Sequence, residues 1–201
     1  MGEENVGGED LGKETKGSEQ DAARAVEDFL SALGVDVSAQ GMDETPQRVA
    51  KMYAFLFSGI GIDPCTLWGE TFDTKAQGLV AVRHIPFYSM CEHHLVPFFG
   101  AVSIAYLPRD GCVAGFGKFA DVVACLSHRP QLQERLTAEI ADAVMEGLHA
   151  RGVLVICSAQ QLCMTMRSAL AHGTQTVTSE CRGALAEGAA LSAQAWQLLG
   201  K

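Results

Sequence analysis

Apolar residues along this chain follow two spacings, one that suits helices and one that suits strands. From Asp21 on, Ala22, Ala25, Val26, Phe29 and Leu33 recur every three or four positions, and Gly34 stands where a helix is commonly capped, so the pattern predicts an amphipathic helix. A second helix is predicted from Thr45-Pro46, an N-cap residue followed by proline at the first helical position, through Val49, Met52, Tyr53 and Leu56 to Gly59. Arg48 and Lys51 share its polar face. The chain then turns β-like. Gly78 to Ile85 is rich in Val and Leu, and Phe99 to Leu107 alternates as far as the turn Pro108-Arg109-Asp110-Gly111. Two further helices are predicted, Lys118 to Leu126 and Gln131 to His149, the latter with Leu132, Leu136, Ile140, Ala143, Val144 and Leu148 on one face and Gly152 as its end. Val153 to Cys157, Leu162 to Arg167 and Thr174 to Thr178 read as strands and connections, and Leu191 to Leu199 as a last short helix. Strands bracketing paired helices predict an α+β fold with an antiparallel sheet.

Composition narrows the class. The 201 residues are 48% hydrophobic, enough for a core without disulfide staples. Residues 1–20 hold six acidic and two basic side chains with five glycines and predict a disordered acidic tail. The formal net charge of −9 excludes a chain-wide nucleic-acid footprint. No apolar run reaches the ~20 residues of a membrane span, and the amino end resembles neither a secretory signal nor a transit peptide, so a cytoplasmic protein is expected. Seven scattered cysteines then read as thiols and metal ligands rather than bridges.

The densest chemistry is Ser89-Met90-Cys91-Glu92-His93-His94, between two predicted strands. Taken alone, its C-x-x-H spacing fits either two of the ligands of a zinc ion or a buried cysteine beside hydrogen-bonded histidines. His84, His128, His149 and His172 are scattered singly and read as structural.

The run SMCEHHLVPFFG resembles the signature of the GTP cyclohydrolase I family, and the resemblance continues in order along the chain. TPQRVAKMY (45–53), IAYLP (104–108), GFGK (115–118), RPQLQERLT (129–137), LCMTMR (162–167) and TVTS (176–179) complete it, covering roughly residues 21–185. The resemblance implies a tunnelling fold, with a catalytic domain over 76–201 preceded by a helical segment over 21–75, assembled as a homodecamer with active sites between subunits. It implies zinc held by Cys91, His94 and Cys163, with water in the fourth position and activated toward neutral pH. It further implies that GTP is opened at C8 and rearranged to 7,8-dihydroneopterin triphosphate and formate, the first step of pterin and folate biosynthesis. His93 matches an acid–base residue, or else orients the metal site. Glu134, with Gln133 beside it, matches the acceptor of the guanine N1 and 2-amino groups. Arg48, Lys51, Lys118 and Arg167 match the cations around the triphosphate, and neither a nucleic acid nor a membrane is an expected partner.

Several positions depart from the family pattern. Gln161 stands where relatives carry the histidine of H-x-C, and glutamine exchanges no proton near pH 7. Asp121 replaces an arginine expected near the triphosphate, and Gly117 replaces a serine. Ser168 and Ala171-His172 alter the loop after Arg167. The departures keep open an impaired enzyme, a diverged paralogue that stops at the ring-opened formamide or takes another purine nucleotide, and a non-catalytic zinc-binding subunit.

Overall fold

The computed structural model describes residues 18–75, 77–166 and 173–200. They form two compact units that divide between Phe55 and Leu56. The first is helical. Helix α1 (Glu19–Ala32) is capped by Ser18, whose hydroxyl oxygen accepts from the Asp21 N–H at 3.1 Å. It therefore starts inside the segment expected to be disordered, of which residues 1–17 lie outside the described part. At its end Gly34, with φ 81°, donates to Ser31 O while Val35 donates to Leu30 O, the paired bonds of a Schellman cap. Helix α2 (Thr45–Leu56) begins at the predicted Thr-Pro pair.

The second unit contains, in chain order, β1 (Thr71–Asp73), β2 (Val80–Cys91), β3 (Pro97–Leu107), β4 (Cys112–Ala114), α3 (Phe116–Ser127), β5 (Pro130–Gln131), α4 (Gln133–Gly147), β6 (Gly152–Gln161), α5 (Leu162–Thr165), β7 (Thr176–Gly183), α6 (Ala184–Glu187) and α7 (Ala189–Leu198). Five strands form one sheet in the order β5-β2-β3-β6-β7, and β1 pairs with β4. Neighbours are antiparallel except β5, which runs parallel to the end of β2. The α+β architecture with an antiparallel sheet is the expected one.

Strand parity explains the layers. Val102, Ile104 and Tyr106 of β3 and Val153, Val155 and Cys157 of β6 join a core with Phe119, Val122, Leu136 and Ile140 of α3 and α4. The intervening Ala105, Leu107, Leu154 and Ile156 pack with Leu185, Ala195 and Leu199 of the C-terminal segment. Both central strands are thus buried on two faces, which is why they read as nearly continuous apolar runs.

The structure changes several expectations, among them β7, which runs Thr176–Gly183 rather than ending at Thr178. Strand β2 does not stop near Ile85 but runs to Cys91, with Ile85, Phe87 and Ser89 buried between exposed His84, Pro86 and Tyr88. Pro86 is tolerated because β5 pairs only with Met90 and Cys91, leaving the N side of Pro86 on an open edge. Leu162–Thr165 is a helical turn, since β6 already ends at Gln161. Helix α4 ends at Gly147, well before Gly152, and its predicted apolar face is buried except for Leu132, which caps it. Finally, residues 56–75 fall in the second compact unit. Trp68 is buried in its core, donating Nε1–H to Ala143 O at 3.0 Å and meeting Phe119 edge to face at 4.9 Å. No described helix is long and apolar enough to cross a membrane.

Candidate metal centre and active site

The β2–β3 connection is a tight turn held from three directions. Cys91 N–H donates to Val96 O at 3.0 Å and Leu95 N–H to Cys91 O at 2.8 Å, closing the turn on itself. Glu92 N–H donates to Gln131 O of β5 at 3.0 Å. The Glu92 carboxylate receives both arms of the Arg135 guanidinium from α4, at 2.6 and 3.1 Å. Those hydrogen bonds from Arg135 hold the Glu92 carboxyl below its ordinary range.

The other side of the site comes from the end of β6. Gln161 caps α5, whose second residue is Cys163. The ligand atoms of Cys91, His94 and Cys163 all lie within 4.8 Å of one another, Cys91 being buried, His94 exposed and Cys163 half-buried. Two thiols and an imidazole suit zinc, and three protein ligands leave a position open, as catalytic zinc sites do. Cys157 is a different kind of thiol. Burial within the sheet pushes it up to about 12, so it stays protonated at neutral pH.

The remaining site residues are distributed as follows. His93 is exposed beside His94, the ring centroids 6.2 Å apart. Glu134 is exposed in the first turn of α4. Gln133 is not: it is 3% exposed, and its amide is committed to the interior. Its Nε2 donates to Cys157 O at 3.1 Å, Thr176 O at 2.9 Å and Thr178 Oγ1 at 3.2 Å, and its Oε1 accepts from Gln161 Nε2 at 2.7 Å. Lys118, in the first turn of α3, is paired with Asp121 Oδ2 at 2.9 Å. A Cβ on Gly117 would meet nothing within 4 Å, so the missing serine there is not a steric necessity. Arg48, ion-paired with Glu44, and Lys51 lie in the first unit, while Arg167, Ser168, Ala171 and His172 fall outside the described residues.

Sequence reasoning gave no role to Glu92 and Arg135, or to the Gln133–Gln161 pair. Glu92, Gln133 and Arg135 sit inside the family-like blocks and Gln161 just before one, but their pairing depends on β5 and on the turn into α5, neither of which has a periodicity to read.

The sequence model of one family, GTP cyclohydrolase I, matches residues 22–200. GTP cyclohydrolase 1 of Carboxydothermus hydrogenoformans is 48% identical over 176 residues, covering 88% of this chain and 92% of that one. The enzyme of that name from Geobacillus kaustophilus is 50% identical over 159 residues, covering 79% and 85%, and the one from Streptococcus pyogenes 49% over 166 residues, covering 83% and 86%. Among solved structures, the apo form of an archaeosine synthase QueF-Like superposes with a TM-score of 0.43 at 20% identity, covering 54% of this chain and 97% of that one.

Proposed function

Because this chain belongs to the GTP cyclohydrolase I family, we propose that it converts GTP to 7,8-dihydroneopterin triphosphate and formate, as a zinc-dependent homodecamer supplying pterin and folate biosynthesis in the cytoplasm. The observation that carries the zinc dependence is the convergence of Cys91, His94 and Cys163 from two separate parts of the chain. A zinc ion there supplies Lewis acidity that brings the pKa of water from 15.7 toward ~7.

The chain's own residues do the rest. Exposed Glu134 offers an acceptor-only carboxylate to the paired N1–H and 2-amino donors of guanine, which adenine lacks. His93, exposed beside His94, acts as a general acid and base during ring opening. Arg48, Lys51, Lys118 and Arg167 take the triphosphate, which requires Lys118 to exchange Asp121 for a phosphate oxygen. Gln133 is buried and hydrogen-bonded to Gln161 rather than facing the guanine.

A second reading is favoured by Gln161. Its side chain donates to Gln133 and exchanges no proton, so a product arrested at the ring-opened formamide fits the same site. Incubation of purified protein with GTP, followed by mass analysis for dihydroneopterin triphosphate, formate and the formamide, separates the two. Rapid, complete conversion supports the first, and accumulated formamide the second. The absence of zinc-dependent turnover of any guanine nucleotide would overturn both in favour of a non-catalytic subunit. About one zinc per chain is expected to co-purify and to be lost on replacing Cys91, His94 or Cys163 by alanine. Full zinc occupancy in Cys163→Ala would overturn the ligand set.

A further inference from the structure

We propose that Gln161 is a positioning residue for the metal centre, acting as a hydrogen-bond donor that fixes the Cys163 turn against Gln133. The inference rests on the zinc reading above.

The argument starts from the direction of each hydrogen bond around Gln133. Its Nε2 faces two backbone carbonyls, Cys157 O at 3.1 Å and Thr176 O at 2.9 Å, which can only accept. Turning the amide over would set its oxygen against both carbonyl oxygens, so the amide has one permitted orientation. The neighbouring hydroxyls fit the same direction. Thr137 Oγ1 donates to Gln133 O at 2.7 Å, and Thr178 Oγ1, 2.6 Å from Thr137 Oγ1, can donate to it while accepting from Gln133 Nε2. Gln133 Oε1 is therefore locked facing Gln161, and only a donor satisfies it there.

Gln161 supplies that donor at 2.7 Å from the last position of β6. The backbone turns into α5 at this residue, with φ −105° and ψ 102°, and Cys163 follows two positions later. The side-chain bond thus holds the base of the turn that presents the Cys163 thiol. Because Gln133 opens α4, the same pair ties the thiol to the helix that carries Glu134 and, through Arg135, the Cys91 turn. Partners that orient metal ligands are worth about 10–100-fold in metal affinity.

Zinc affinity, read by competition with a chromophoric chelator, tests the proposal. Gln161→Glu keeps the shape and replaces the donor by an acceptor, and Gln161→Leu removes the donor without adding charge. Each is expected to bind zinc about 10–100-fold more weakly than wild type, while Gln161→His, whose imidazole retains an N–H donor, stays near wild type. A merely structural role would lower the melting temperature of the metal-free protein and leave zinc affinity unchanged. Wild-type affinity in folded Gln161→Glu overturns the proposal, and if that variant does not fold, wild-type affinity in Gln161→Leu does so. A wild-type protein that binds no zinc overturns the metal reading itself, and this inference with it.

Discussion

Lys118 and Asp121 meet one turn apart on α3, so an anion arriving at this lysine must displace a carboxylate already in place. Both side chains are about half exposed, at 44% and 53%, which keeps the pair weak, of order 0.2–1 kcal/mol. Asp121→Ala is therefore expected to lower KM for GTP by roughly two- to fivefold at low salt, with the gain shrinking as ionic strength rises. An unchanged KM at every salt concentration would place the triphosphate elsewhere. Glu134 stands in a different situation, exposed in the first turn of α4. Under the proposed function Glu134→Ala loses about 1.5–3 kcal/mol of GTP binding, readable by calorimetry against an unchanged oligomer size. Equal binding would assign guanine recognition to another group.

At the scale of elements, the amphipathic helices were legible because a 3.6-residue period needs only side-chain type to be seen, as the buried face of α4 shows. The end of β2 was not. Pro86 and the polar signature residues mask an alternation that becomes visible only once the sheet shows which edge is open. The turn α5 was missed because four residues carry no period. The end of α4 was placed two residues late because buried Leu148, its C-cap, keeps the apolar period past Gly147. A Cβ on Gly147 would lie 2.0 Å from the Trp68 indole, so this glycine allows a close approach that no local pattern announces. Gly147→Ala is expected to cost about 1–3 kcal/mol through overpacking, measured as a shifted urea midpoint. A midpoint equal to wild type would mean that Trp68 yields without cost.

Across the whole molecule, burial leaves a signature at high pH. Cys157 is raised from 9.0 and Tyr106 from 10.0, each to about 12, chiefly by removal from water. Below pH 9 both groups are neutral in either state, and their contribution to stability is fully present. As pH rises toward about 12 the unfolded chain gives up protons that the folded chain keeps, so stability falls. Cys157→Val is expected to flatten this alkaline decline in unfolding free energy. A slope identical to wild type would show that Cys157 ionises alike in both states.

The origin of the three clustered ligands bears on how the chain folds. Cys91 and His94 come from a hairpin, a local structure of the kind that closes in about 1–10 μs. Cys163 follows the end of β6, which pairs along β3 across all the sequence of α3 and α4, and such non-local pairing is slow. The early hairpin therefore offers two ligands and the completed sheet offers three. Under the proposed zinc reading, a refolding chain is expected to gain tight zinc capture in its slowest phase, after the sheet has closed, so the ion would secure a topology that it had no part in choosing.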